Sequence, residues 1–380
     1  MAARKSSRKP ARKPARKVSR KATRKVTRKP AGKAVRRTPT RRRRDFAWAK
    51  LPREQLMDKR IRSLGVRIEG TWLEEVIAEL YDELEKREIR LRPHFWLSHE
   101  WFSPEGIPGI AIPFFLAHPR LMRLERSIML EVEGGSRNEC LRIMRHETGH
   151  ALQHAYKLNR RRRWQELFGH SSTPYPESYR PNPASRRFVQ HLRLYYAQAH
   201  PDEDFAETFA VWMQPRATWQ RRYEGWPALE KLEYVDELMR ELQGERPPAL
   251  VRERYEPISA LSQTLREYYA AKCTQYAVAY PSTYDRELLK VFSDDPRHAR
   301  YPLASQFIQQ HRTEIRQTVA RWTGEYEFTL DQLLRDMIGR CRELKLRVVG
   351  GQRRVLLDFA GMLAVRTVHF LYSRRISIAL

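Results

Sequence analysis

The sequence predicts an α+β fold in which a small sheet lies over one long helix, with a mostly helical region after it and a disordered basic segment before it. Three observations support this class. The 380 residues suffice for two domains plus a tail. Apolar residues recur with a helical period behind capping signals, whereas short apolar runs between prolines are typical of strands. The composition also changes abruptly after residue 44.

Residues 1–44 form a low-complexity segment with 21 Lys or Arg residues and no Asp or Glu. They account for most of the net charge of +28, and the remaining chain has a net charge of +7. The segment has almost no large apolar side chains and is predicted to be disordered, because it cannot bury enough surface to offset chain entropy. Its composition resembles that of histone H1-type tails, and binding to nucleic acid or another polyanion is the favoured interpretation. A merely solvated tail is the alternative, and a mitochondrial transit peptide is a weaker one.

Apolar runs and cysteine usage indicate the kind of cellular compartment. The chain has neither the apolar core of a secretory signal nor an 18-residue apolar run, so no membrane span is expected. The three cysteines, Cys140, Cys273 and Cys341, are far apart and lack metal-ligand spacing. Such sparse usage fits free thiols in a reducing compartment.

Four segments are predicted ahead of the central motif. A capping-box pattern at residue 71 opens a helix that ends near residue 86. Residues 91–97 and 110–115 have the composition of short strands. Residues 120–133 are expected to hold one or two further strands, because part of this stretch alternates between apolar and polar residues.

The central motif is His146-Glu147-Thr148-Gly149-His150, an H-E-x-x-H box. On a helix, His146 and His150 share one face, so both imidazoles can reach a single metal ion. Glu147 then projects beside that metal, where it can take a proton from a bound water.

The surroundings of the box predict that it lies in the middle of a helix. A capping-box pattern from Ser136 to Glu139 precedes it, and an apolar stripe of helical period continues on both sides. The alternative is an ordinary amphipathic helix with hydrogen-bonded histidines. His154 extends the series by one turn, about 6 Å along the axis, and is interpreted as structural or as support for a ligand.

A second pair of candidate residues lies downstream. Glu203 and Glu207 are also four residues apart, so a helix would present both carboxylates on one face. One could ligate the metal while the other accepts a hydrogen bond from a ligating histidine. Two solvated glutamates are the alternative, but the apolar residues around them predict a buried helix, where paired carboxylates need a cation or a donor.

Together the two motifs resemble the gluzincin pattern H-E-x-x-H … E-x-x-[AS]-[DE], which thermolysin-like peptidases and the anthrax lethal factor group share. The resemblance implies a zincin-like metallopeptidase domain in which Glu203 is the third zinc ligand and Glu207 supports a histidine. Lethal-factor-like enzymes also place a tyrosine seven residues before the ligand glutamate, where it stabilises the oxyanion. The resemblance assigns that role to Tyr196 in this sequence, and the adjacent Tyr195 is the alternative.

A closer resemblance is to a bacterial family called putative zinc-binding metallopeptidases, and it covers roughly residues 60 to 245. The segment between the two motifs is much longer than in thermolysin, because 52 residues separate His150 from Glu203. The stretches that carry this resemblance are 109–114, 118–121, the HETGH box, Ser172-Thr173-Pro174-Tyr175-Pro176 and 204–210.

The remaining segments contain no chemical motif. Arg160–Arg163 is interpreted as a solvated helix end in preference to a patch for anions. The other predictions are a loop over the cleft at 169–184, a helical or extended segment at 188–196, a helix at 228–242, mostly helix at 259–343, a strand at 344–349 and a final apolar helix at 355–372. With a break near 245–248, the predicted domains are 1–44, 45–245 and 246–380.

The sequence thus predicts a zinc metallopeptidase that hydrolyses a peptide or amide bond. His146, His150 and Glu203 are expected to bind Zn²⁺, and Glu147 to act as general base on a zinc-activated water. Tyr196 is expected to assist catalysis.

The alternative function is that of a non-catalytic, nucleic-acid-associated protein with a structural zinc site. Expected partners are a peptide or protein substrate and, through residues 1–44, nucleic acid or another polyanion, but no membrane. The expected location is the bacterial cytoplasm, with association with the nucleoid as a further option.

Overall fold

A computed structural model of the chain describes residues 46–215, 218–248, 251–277, 284–373 and 376–377, and the side chains up to Leu371. The predictions for residues 1–44 lie outside these residues. The elements are α1 (Arg53–Met57), α2 (Trp72–Glu85), β1 (His94–Ser98), β2 (Gly109–Pro113), α3 (Pro119–Met129), α4 (Arg137–Tyr156), α5 (Arg162–Phe168), β3 (Ser178–Tyr179), α6 (Pro201–Met213), α7 (Trp219–Arg222), α8 (Ala228–Glu241), α9 (Leu265–Gln275), α10 (Asp285–Val291), α11 (Ala304–Thr323), α12 (Glu327–Glu343), α13 (Gln352–Ser373) and β4 (Ile376–Ser377).

The predicted helix after residue 71 is confirmed as α2. The Thr71 side chain accepts a hydrogen bond from the backbone N–H of Leu73 and closes the first turn. Glu74 reaches back to the N–H of Gly70, one residue before the position that a capping box uses. The apolar face of α2 is buried, including Leu73, Val76 and Leu80.

Two short strands form the sheet beside α4. β1 and β2 run parallel, with His94 opposite Gly109 and Ser98 opposite Pro113. Glycine at position 109 makes room for the His94 ring, because a Cβ atom there would lie 2.4 Å from a ring carbon of His94. β3 and β4 form a second, antiparallel pair.

The strands predicted at 120–133 are wrong, because α3 occupies most of that stretch. Pro119 takes the first helical turn, where a missing N–H costs nothing, and the His118 ring caps the helix by accepting from the N–H of Arg120 at 3.1 Å. Leu121 and Leu124 are buried three residues apart, so the helical period outweighs the partial alternation near its end.

The strand predicted at 344–349 is also wrong. Only Arg347 pairs there, through isolated bridges to Ser293 and Leu303. Residues 188–192 have no regular structure, and Arg193–Gln198 forms a 3₁₀ segment interrupted at Leu194 and Tyr195 by positive φ angles of 59° each.

α4 is the central helix of the molecule, packed between α2, β2 and α6, with α8 behind α6. Every residue from His146 to Gln153 is buried. α4 and α6 approach closely because Gly149 has no side chain: a Cβ atom there would lie 2.7 Å from the Cα of Ala206. This contact brings the two predicted motif helices together.

The C-terminal region is mostly helical, as predicted. α10 to α13 enclose a second hydrophobic cluster with Phe307, Leu334 and Phe359 at its centre. The buried Asp331 accepts hydrogen bonds from Arg312 at 2.6 and 2.7 Å and from Arg316 at 3.1 Å. α9 instead packs into the hydrophobic core that α2, α4, α6 and α8 share, and the domain boundaries stay predictions. Among the described helices, none is long and apolar enough to cross a membrane.

Candidate metal centre

The histidines of the box lie on one face of α4, as the spacing predicts. Ser136 caps the helix by accepting from the N–H of Glu139 at 3.3 Å. From there α4 continues unbroken past the box to Tyr156. Lys157 ends the helix in a left-handed conformation with φ 54°. His146 and His150 are 2% and 7% exposed, and their Nε2 atoms are 3.2 Å apart.

α6 brings a carboxylate against both rings. The His200 ring caps α6 by accepting from the N–H of Asp202 at 3.1 Å, so Glu203 stands in the first turn. Its Oε2 atom lies 3.0 Å from the Nε2 of His146 and 3.2 Å from the Nε2 of His150.

These three atoms fit a tetrahedral metal site. Zinc bonds of about 2.0–2.1 Å at tetrahedral angles place neighbouring ligand atoms about 3.3 Å apart. The observed separations are 3.0, 3.2 and 3.2 Å. His146, His150 and Glu203 are therefore a buried group that could hold a metal ion.

Glu207 lies on the other side of the His146 ring. Its Oε1 accepts a hydrogen bond from Nδ1 of His146 at 2.9 Å, and its Oε2 accepts from the N–H of Leu192 at 2.8 Å. With the proton on Nδ1, the neutral ring presents a bare Nε2 to Glu203, and two acceptors then face each other at 3.0 Å. Such a pair requires a cation or an added proton between its members.

The electrostatics of the group reflect this requirement. Burial opposes a charge on His146, but the hydrogen bonds to Glu203 and Glu207 outweigh it and raise the pKa of the ring. Burial likewise opposes the charge of Glu207, yet the hydrogen bonds from His146 and Leu192 and the nearby His191 together outweigh it and lower the pKa of that carboxyl. The pocket therefore favours a positive charge between these side chains.

Glu147, the predicted general base, lies close enough to His146, His150 and Glu203 to interact with them electrostatically. It is 7% exposed, and its Oε2 has no hydrogen-bond partner. Burial raises the pKa of its carboxyl against the opposing effects of His146 and His150. The residue lines the same cavity as the three candidate ligands.

Tyrosines line the cavity near the three donors. The ring of Tyr196 lies 5.7 Å from that of His146, and it lines the cavity, whereas Tyr195 does not. Tyr175 donates a hydrogen bond to Oε1 of Glu203 at 3.1 Å and stacks on His200 with ring centres 3.7 Å apart. The sequence interpretation gave Tyr175 no role, although it lies in one of the stretches that carried the family resemblance.

Two other predicted features have ordinary explanations. His154 lines the cavity but does not join the three donors, and burial lowers its pKa to about 4. Arg161, Arg162 and Arg163 pair with glutamates of the chain, at 2.5 Å to Glu241, 2.9 Å to Glu166 and 2.6 Å to Glu230. The arginine run is thus a charged surface with its own counter-ions.

The donors open into one large cavity of about 1600 Å³. One of its walls is the face of α4 that carries Glu139, Arg142, His146, His150 and His154. These residues recur every three or four positions, so the cavity extends along most of the helix.

The two motif helices define a candidate metal-binding protein of the His-His-Glu type. Comparison with known families agrees: residues 137–236 match the family model described as "Putative zinc-binding metallo-peptidase". The match begins at the first residue of α4 and ends within α8, so it contains every candidate ligand. The sequence resemblance is confirmed over this segment. No curated protein and no solved structure matched the chain.

Proposed function

We propose that this protein is a zinc-dependent metallopeptidase that hydrolyses peptide or amide bonds. The supporting observation is the convergence of His146, His150 and Glu203 at tetrahedral spacing beside the unpartnered carboxylate of Glu147. A structural zinc site typically has four protein ligands, whereas a catalytic one has three and an open position. Among the described residues only three donors converge here, and they face a cavity.

The chain's own residues supply the acid–base chemistry. Zinc bound here would polarise the scissile carbonyl and lower the pKa of the attacking water. Glu147 accepts the proton of that water and passes it to the leaving amine. Its burial matters, because a carboxylate with a raised pKa is a stronger base.

Two tyrosines complete the proposed site. Tyr196 donates a hydrogen bond to the oxygen that becomes negative in the transition state. Tyr175 is a positioning residue, because its hydroxyl holds Oε1 of Glu203 and leaves Oε2 directed at the histidines. Glu207 positions His146 in the same way.

We also propose that the fold is zincin-like. That arrangement consists of a helix with two ligands, a small sheet beside it and a second helix with the third ligand, and α4, β1–β2 and α6 supply these parts. The nucleic-acid alternative rests on residues 1–44, which lie outside the described structure, and it stays a prediction.

The test separates metal binding from hydrolysis. Zinc content is measured for the purified wild type and for Glu147→Gln, His146→Ala and the exposed control Glu233→Gln, and cleavage is followed by mass spectrometry on a diverse peptide mixture. We expect about one zinc per chain in all but His146→Ala, and cleavage only by the wild type and the control. Unchanged turnover in Glu147→Gln would refute the general-base role.

A nucleic-acid binding assay tests the alternative. If deleting residues 1–44 abolished binding to double-stranded DNA or RNA, Glu147→Gln left that binding unchanged and no variant cleaved a peptide, the nucleic-acid-associated function would replace the enzyme.

A further inference from the structure

We propose that the end of the cavity near the start of α4 is a subsite for a lysine or arginine side chain of the substrate. Glu100, Glu131, Glu133 and Glu139 define this acidic end. The inference rests on the proposed function, because it names the class of peptide that the metal centre would cleave.

The charge of the cavity contrasts with that of the chain. Its lining contains ten Asp or Glu residues and three Lys or Arg residues. Outside residues 1–44 the chain has a net positive charge of +7. An acidic cavity in a basic protein concentrates cations and repels anions locally.

The acidic end lies within reach of a peptide bound at the metal centre. Glu139 precedes His146 by seven residues on the same face of α4, which is about 10 Å along the helix axis. An extended peptide covers that distance in about three residues. Glu131 and Glu133 come just before the helix, so the subsite would accept a side chain a few residues from the scissile bond.

Several charges in this region are paired, whereas Glu133 and Glu139 form no ion pair with the described residues. Arg193 binds Glu131 at 3.0 Å, and Lys272 is shared between Glu100 and Glu125 at 3.2 Å each. Glu133 forms no ion pair and no hydrogen bond to the described residues, although it faces Glu100, Glu131, Glu139 and Lys272. Burial and the nearby carboxylates raise its pKa to about 7. A cation is stabilised most when it binds beside a half-buried carboxylate that has no counter-ion.

Aromatic rings and a second unpartnered acid support a ligand in this cavity. Tyr276 and Tyr326 meet edge to face with ring centres 5.0 Å apart, and both line the cavity and the small recess beside Glu133. Aromatic faces beside carboxylates suit a guanidinium or ammonium group. Glu147, whose buried Oε2 has no hydrogen-bond partner, lines the same cavity near the metal centre.

A metal ion is a poorer occupant of the acidic end. Within the described part of the chain, only His146, His150 and Glu203 place three possible ligand atoms within 4.8 Å of one another. The carboxylates of the acidic end are spread further apart, which suits an elongated side chain.

The test measures binding and cleavage separately. Peptide sets that differ only in Arg, Gln or Glu at one position, moved stepwise on both sides of the scissile bond, are titrated by fluorescence anisotropy into zinc-loaded Glu147→Gln protein. Glu133→Gln and Glu139→Gln are added to that background, and Glu233→Gln, an exposed site with the same change in charge, is the control. Zinc content and circular dichroism verify that each protein is folded.

We expect the Arg peptide to bind at least about tenfold tighter than the Gln peptide at one position, with the Glu peptide weakest. Glu133→Gln should reduce the Arg preference to about threefold or less, Glu139→Gln should reduce it partly, and Glu233→Gln should leave it unchanged. Equal affinity for the three peptides at every position would overturn the subsite, as would a preference that survives both substitutions. Arg-selective binding without cleavage by the wild type would instead refute the proposed activity and leave the subsite standing.

Discussion

Replacing Gly149 by alanine tests the contact that brings the two ligand-bearing helices together. The new methyl carbon would lie 2.7 Å from the Cα of Ala206, whereas ordinary contacts of this kind begin at 3.4 Å. The methyl group would meet the Cα and carbonyl oxygen of Ala206, which are buried backbone atoms and cannot rotate away. The strain is therefore relieved mainly by moving α4 and α6 apart by about 0.7 Å.

The magnitude follows from the geometry of the donors. The separations of 3.0 and 3.2 Å between Glu203 and the two histidines would grow to about 3.7–3.9 Å, which corresponds to metal bonds of about 2.3–2.4 Å in place of 2.0–2.1 Å. We expect zinc affinity to fall at least tenfold. Overpacking costs about 1–3 kcal/mol, and the gain in helix propensity offsets about 0.5–1 kcal/mol of it. The net loss in free energy of unfolding is about 0–2.5 kcal/mol.

The assay is zinc competition against a fluorescent chelator, together with urea unfolding of the metal-free protein. Gly339→Ala is the matched control, because Gly339 is also in a helix and a Cβ atom there meets nothing within 4 Å. That variant should be more stable by up to about 1 kcal/mol and bind zinc normally. A Gly149→Ala protein with wild-type stability and zinc affinity would refute the reasoning.

Three further predictions concern the side chains around the site. Glu207→Ala should weaken zinc binding about 10- to 100-fold in the same competition assay, because His146 loses the acceptor that orients it; an unchanged affinity would contradict its positioning role. Tyr175→Phe should reduce zinc affinity by a smaller factor and keep the protein folded, as seen by circular dichroism, and an effect as large as that of Glu207→Ala would show that Tyr175 does more than position Glu203. Glu133 has a folded-state pKa of about 7 against an ordinary 4.5, so the folded protein binds the extra proton and its stability falls as pH rises from about 4.5 to 7, by at most about 3 kcal/mol. Urea unfolding should therefore show Glu133→Gln gaining stability over the wild type at pH 8 relative to pH 5, and an equal difference at both pH values would exclude the buried charge.

The candidate ligands on α4 were predictable because their geometry is local. A cap at Ser136 and a spacing of four residues are sufficient to put His146 and His150 on one face, and no distant residue is needed. The pairing of Glu203 with Glu207 was predictable in the same way. Which carboxylate meets which ring was implied by family resemblance and not by the residues alone.

The errors have two origins: one local signal that was overlooked, and contacts between segments far apart in the sequence. Residues 119–129 are helical because Pro119 and the His118 ring start a helix there, a signal that alternation at the end of the stretch concealed. Arg347 pairs with two segments that lie 44 and 54 residues earlier, and those contacts decide its extended conformation without forming a strand. Tyr175 reaches Glu203 from a loop 28 residues earlier, which periodicity cannot reveal.

The sequence by itself determined the elements whose causes lie within a few residues: the capped helix α4, the two motifs, the helical C-terminal region and the basic composition of residues 1–44. Only the tertiary structure decided that Gly149 lets α6 approach, that Glu203 and not Glu207 faces both Nε2 atoms, and that Glu133 is left without a counter-ion in a cavity shared with the metal centre. Periodicity and caps act over one or two helical turns, whereas a metal site and its cavity require atoms from distant segments to converge within about 3 Å.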